Sequence, residues 1–298
     1  SICRRHNSLA TITNVAQPRR NLLRNDGGFR MNQIFKARVF RAEWRKLRRP
    51  TLFLGTMLAS AGLTGLVTSL LFLLIDSPQG NSDRGNMISR EILQLPSGLT
   101  IGFSNAAGLL GIVALCVFAA QTAQEYTYGT LRNLLVRQPR RLQLLLGKYV
   151  SMASFAIVMV FLAAVVSMSL AFGLSGKAKV ETDAWVTSDA LQEMAKTFGN
   201  VLLSVIAFGT VGMILGLLLR SPISSISLGV IWLLIVENIL VAVKSSLGNW
   251  MPGNLMSIIA VGGTTDISYT HSITMVSIYL VASTAIVITL FKRRDVSN

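Results

Sequence analysis

Apolar residues in this chain gather in long blocks instead of alternating with polar ones. Six blocks stand out, at 51–75, 99–120, 149–174, 198–219, 223–243 and 272–291. Each is about 20 residues or longer, the length of α-helix that crosses roughly 30 Å of hydrocarbon. In lipid, every backbone N–H and C=O must be satisfied within its own segment, so such blocks predict helices. The alternation of a membrane β-barrel strand is absent from them. The expected fold is all-α, a polytopic membrane protein with six transmembrane helices.

The stretch 31–50, ahead of the first block, has a different period. Gln33, Ala37, Phe40, Trp44 and Leu47 recur every three or four residues, as do Arg38, Arg41, Arg45 and Arg48. An apolar stripe beside a basic one predicts an amphipathic helix lying in the membrane interface. Pro50 marks the turn into the first span. The helix serves either as a basic anchor or as a lever that transmits force from a partner. Residues 1–30 are rich in arginine and hold one acid, Asp26, with no apolar stretch of signal-peptide length. They read as an extension ahead of a start at Met31; a disordered tail and a targeting segment are the alternatives. The working protein is then an interface helix at 31–50 and a permease-like membrane domain at 51–298.

Composition agrees: 51% of residues are hydrophobic and only 14% charged, against about 25% charged in a soluble domain. The net charge of +15 raises the question of nucleic acid, but its placement argues for topology. With 31–50 inside, the inner segments carry sixteen Lys and Arg and the outer segments 76–98, 175–197 and 244–271 carry six. Positive charge follows the cytoplasm, so both termini are expected there, in a bacterial plasma (inner) membrane. No nucleic-acid motif accompanies the charge. Cys3 and Cys116 are too far apart in context for a disulfide framework, and Cys116 reads as a small packing residue. Two histidines without metal-ligand spacing give no metal site.

The longest inner segment, 121–149, ends one span and begins the next. Thr130 can cap a short helix whose Leu131, Leu134 and Leu135 make an apolar knob, and Pro139, Arg140 and Arg141 follow. Three leucines on a cytosolic surface need either the membrane surface or a groove on a partner. Glu125, Gly129-Thr130-Leu131-Arg132, Pro139, Arg140-Arg141 and Gly147-Lys148-Tyr149 resemble the loop between spans two and three of ABC-2 type transporter permeases. Glu43-Trp44-Arg45-Lys46-Leu47 is similar to the segment ahead of the first span in that family. The resemblance implies a permease that pairs with a second copy or a paralogue and with two copies of a cytosolic ATPase. ATP and Mg²⁺ would then bind the ATPase, and this chain would hold no cofactor. It implies that residues 125–135 form the coupling helix, carried by Glu125, Gly129, Thr130, Leu131, Arg132, Leu134 and Leu135. The interface helix would be carried by Phe40, Glu43, Trp44 and Lys46. Glu125 and Arg132 are expected to be solvent-exposed and worth roughly 0–1 kcal/mol each.

The family also has short re-entrant helices between spans five and six, and the apolar run 255–261 between Pro252-Gly253 and Gly262-Gly263 fits one; an ordinary surface loop is the alternative. The phosphate-cradling pattern G-x-x-x-x-G-K-[ST] does not occur, so ATP chemistry is expected elsewhere. Glu237, followed by Asn238, is the acid deepest in an apolar span. Such residues face a bundle interior or a cavity, so the pair either lines a substrate path or bonds to a neighbouring span. Gly98/Gly102 and Gly212/Gly216 allow close helix approach. Two rival functions remain. Gly173-Leu174-Ser175-Gly176 with His271 has the residue types of a rhomboid-like serine protease, although Ser175 stands where a helix stops. A secondary transporter, independent of ATP, would show repeats and several midplane charges.

Overall fold

In a computed structural model, the chain is described over residues 40–75, 90–128 and 141–293. The described residues are helices and connections without a strand. They run α1 (40–47), α2 (Pro50–Leu73), α3 (Arg90–Leu93), α4 (Gly98–Asn105) and α5 (Ala107–Thr127). Then follow α6 (Arg141–Ala178), α7 (Ser188–Leu219), α8 (Pro222–Val243), α9 (Pro252–Val261) and α10 (Tyr269–Arg293). Six of these segments are long and apolar enough to cross a membrane: α2, α4–α5 taken together, α6, α7, α8 and α10. The protein is a multi-pass membrane protein.

The apolar blocks mark the spans but not their ends. α6 has 38 residues, roughly 57 Å of helix, and overshoots its block on both sides. Leaving lipid lowers hydropathy without ending a helix. The expected outer loop 175–197 is therefore mostly helix. α6 ends where Lys179 turns to φ +52, and α7 begins where Thr187 Oγ1 accepts from Ala190 N at 3.3 Å. On the other side of the membrane, α5 continues to Thr127 and α6 starts at Arg141, so Glu125 and Lys148 are helical. That end, which also carries Arg48, Arg49 and Arg220, is called the basic end below.

α2 turns Met57, Ser60, Thr64, Thr68 and Phe72 inward at helical spacing, and packs on α6, where Thr68 Oγ1 lies 2.8 Å from Ser167 Oγ. The tightest pairing is α5 with α7. A Cβ on Gly212 would strike the backbone oxygen of Leu115, and one on Gly111 the Phe208 ring. The close approach expected at Gly212 and Gly216 is present, with α5 as the neighbour. Phe103, Phe118, Met152, Phe155, Met159 and Val205 fill the core between α4–α5, α6 and α7.

Pro252 occupies the first turn of α9, and Gly262 and Gly263, at φ +82 and +103, close its end, the asymmetry expected of helix termini. Leu255, Met256, Ile258 and Ile259 are buried, and Ser204 Oγ of α7 donates to Met256 O at 2.6 Å. The run between spans five and six is thus a helix packed into the bundle. α8 departs from α-geometry at Trp232–Val236, a single π-turn closed by Glu237 N–H to Trp232 O.

Candidate functional site

At the basic end, four charged side chains from three elements meet. Glu43 and Lys46 stand three residues apart on α1, Glu125 lies in the last turn of α5, and Lys148 two turns into α6. Lys46 Nζ donates to Glu43 Oε1 at 2.7 Å and to Glu125 Oε1 at 3.0 Å. Lys148 Nζ donates to Glu125 Oε1 at 2.6 Å and to Glu43 Oε2 at 3.3 Å. Three of the four are buried, with Lys148 only 3% exposed. Two acids and two ammonium groups leave no net charge, which is the condition for charge to leave water at all. Burial alone raises the Glu43 carboxyl, but the Lys148 charge and the Lys46 bond outweigh it and hold the group below the ordinary carboxylate value. Burial likewise lowers the Lys46 ammonium, and its bond to Glu43 together with the Glu125 charge takes it above the ordinary lysine value.

Of the expected stripes, Phe40, Trp44 and Leu47 dock on the bundle, while Gln33, Ala37 and Arg38 lie outside the described residues. Leu47 is buried, Trp44 packs on the core, and Phe40 stacks on Trp44 with centroids 6.0 Å apart. Ser151 Oγ of α6 donates to Phe40 O at 3.3 Å. Arg41, Arg45 and Arg48 are exposed, as the basic stripe requires. The expectation that Glu125 sits in solvent and contributes little is corrected. Its side chain is 11% exposed and bonded to two lysines, because α5 runs about two turns past its apolar block and carries the residue under α1. Lys148, not singled out by sequence, joins both acids; its signal was its place in the Gly147-Lys148-Tyr149 motif. Gly129, Thr130, Leu131, Arg132, Leu134 and Leu135 lie outside the described residues, between the ends of α5 and α6 that the ionic cluster fastens.

Glu237 and Asn238 stand in α8 beside a second feature. The π-turn brings Trp232 Nε1 to Glu237 Oε1 at 2.8 Å, across five residues, a spacing that a π-turn serves better than a regular α-helix. Gly253 N donates to Oε1 and Asn254 N to Oε2, both at 3.1 Å. The carboxyl thus caps the N-terminus of α9, where an acid is favourably placed. A Cβ on Gly253 would come within 2.5 Å of Leu233 Cδ2 and 2.7 Å of Glu237 Oε2, so a larger residue there would make those two side chains shift. Of the two expected roles, bonding to a neighbour is present, with α9 in place of a long span. The path role also has a physical setting: Glu237 and Asn238 line a cavity of about 450 Å³ between α5, α8 and α9. The roles of Trp232, Gly253 and Asn254 escaped the sequence reading, since Gly253 and Asn254 reach Glu237 only where α9 folds back and Trp232 reaches it through the π-turn.

Ser175 Oγ donates to Phe172 O at 2.8 Å, and His271 Nε2 lies 3.0 Å from Asn249 O; each is engaged with its own surroundings. Among the described residues, no group of three or more His, Cys, Asp or Glu could hold a metal.

Comparison with known proteins adds two findings. The family model described as "Protein of unknown function (DUF2705)" matches residues 89–297, more than half of the chain and inclusive of Glu125, Lys148 and Glu237. The uncharacterized protein YhcI of Bacillus subtilis (strain 168) is 24% identical over 212 residues, which cover 65% of this chain and 67% of YhcI.

Proposed function

The chain belongs to the DUF2705 family, and we propose that it is the membrane-spanning permease subunit of an ATP-binding-cassette transporter of the ABC-2 type. In this reading it is an exporter of the bacterial plasma membrane, with both termini cytoplasmic. It pairs with a second permease, identical or paralogous, and is driven by two copies of a cytosolic ATPase that bind ATP and Mg²⁺.

The observation that carries the reading is the ionic cluster. Glu43 and Lys46 on α1 are tied to Glu125 at the end of α5 and Lys148 near the start of α6. Those two helix ends flank 129–140, the segment whose leucines and basic residues resemble a coupling element. Breaking one partner of a buried pair costs roughly 3–5 kcal/mol, so a push on that segment moves α1, α5 and α6 together.

A second support is the outer surface of the bundle. Spans α8 and α10 are 17% and 11% buried, against 61% for α7, so they form its periphery. Asn238 of α8 and Asn105 of α4 are exposed there. Polar groups at membrane depth belong against protein or a water-filled path, and a second permease supplies either. The experiment is purification from native membranes in mild detergent followed by mass spectrometry. A cytosolic ATPase recovered in stoichiometric amount is the expected result. Recovery of the chain alone, or with membrane proteins only, contradicts the reading.

A further inference from the structure

The cavity beside Glu237 has a chemical bias that its shape alone does not reveal. Three asparagines line it, and each donates from its amide nitrogen to a backbone carbonyl. Asn105 Nδ2 donates to Ile101 O at 2.8 Å, Asn238 Nδ2 to Leu234 O at 2.9 Å, and Asn254 Nδ2 to Gly248 O at 2.9 Å. Their carbonyl oxygens have no partner among the described residues. Ser257 Oγ, also in the wall, donates to Gly253 O at 3.1 Å and keeps its lone pairs. The Glu237 carboxyl offers about four acceptor positions, of which three are taken by N–H groups. The lining includes no Lys, Arg or His. Every polar side chain in this wall therefore has acceptor capacity to spare; the donors that remain are the second amide N–H groups of Asn105 and Asn254, and the ionisable group of the lining is the Glu237 carboxyl.

The remaining wall is apolar, with Leu109, Ile112 and Phe208 among its residues. At about 450 Å³ the volume falls in the range of small-molecule sites, roughly 300–1,000 Å³. We propose that this cavity binds an amphipathic ammonium ion, a protonated amine on an apolar body, with the N–H donors facing the acceptors and the body against α5 and α8. Naming this ligand as cargo rests on the permease reading. The binding itself does not, because it needs no ATPase.

The test is calorimetric titration of the purified protein in lipid nanodiscs with naphthylethylammonium. Naphthylacetate serves as the probe of opposite charge, and the N-trimethyl derivative as a cation without N–H donors. Saturable binding of the primary ammonium is expected, with the carboxylate probe silent and the trimethyl probe weaker. Glu237→Gln should weaken binding by roughly tenfold or more, since bonds to a charged group are the strong ones. Because Glu237 also caps α9, Asn105→Leu and Asn238→Leu provide a second route. Their amides bond only their own helices, so the fold is kept while an acceptor is lost, and each should weaken binding several-fold. Equal heats for all three probes, no saturable heat for the ammonium, or unchanged affinity in both asparagine variants would overturn the proposal. A silent titration from protein that still co-purifies with its ATPase would sink this proposal and leave the permease reading standing.

Discussion

Replacing Lys148 with methionine keeps the length of the side chain and removes one ammonium from the ionic cluster. Among the described residues, Glu43 and Glu125 would then both bond Lys46, a cation whose side chain is 37% exposed. Removing one partner of a buried pair costs roughly 3–5 kcal/mol, because the remaining charge stays uncompensated out of water. Lys46→Met likewise leaves two buried acids on one ammonium, but it removes the partly solvent-screened charge, so its cost should be the smaller. The two variants thus differ in burial and not in net charge. Thermal unfolding in mild detergent, followed by tryptophan fluorescence, should show Lys148→Met melting on the order of 10 °C lower, with Lys46→Met lowered less. The double variant Glu125→Gln/Lys148→Met again balances one acid against one base, so it should be more stable than the sum of its single changes by roughly 0.5–3 kcal/mol. Equal effects of the two lysine variants, or strict additivity in the double variant, would show that these charges do not act as a buried unit.

Three further outcomes follow from the structure. Glu43 is held below its ordinary value, so the stability it contributes is present above the ordinary carboxylate range and is lost as pH falls through the depressed value. Acid titration of unfolding should therefore release stability in that window, and Glu43→Gln should flatten the slope; an unchanged slope would contradict the ionic account. At the alkaline end, Lys46, raised above the ordinary lysine value, holds its contribution until pH climbs through that raised value. Gly212→Ala places a methyl against the Leu115 backbone oxygen, whereas Gly199→Ala on the same helix meets nothing within 4 Å. The first should cost roughly 1–3 kcal/mol or more and the second nothing, since alanine favours helix; a reversed order in the same melts would refute the α5–α7 packing.

The spans were legible because lipid imposes a length, and all six blocks became helices. Their ends were not, since the drop in hydropathy at 141–148 marks the exit from lipid and not the end of α6. The docking stripe Phe40, Trp44 and Leu47 followed from period alone. Glu43, by contrast, reads in sequence as one more charge in a charged segment. Its burial depends on Glu125 and Lys148 arriving from residues 79 and 105 positions beyond Lys46 and Glu43, a meeting that no local pattern encodes. Glu237 was conspicuous as a carboxyl in an apolar run. Its partners were not, because Gly253 and Asn254 reach it only after α9 folds back, and Trp232 through a π-turn within α8. The leucines at 131, 134 and 135 stay a sequence expectation, as they lie outside the described residues.

The central claim is that movement of a cytosolic ATPase enters this protein through the segment between α5 and α6. The most direct measurement compares wild type with Leu134→Asp for co-purification of the ATPase and for ATP hydrolysis in reconstituted vesicles. A buried leucine is worth roughly 1.5–3 kcal/mol, which is about a tenfold loss of affinity or more. Leu134→Asp should insert normally, lose the ATPase during purification and fail to stimulate hydrolysis. An Asp variant that retains the ATPase at wild-type stoichiometry and stimulates hydrolysis normally would contradict the claim.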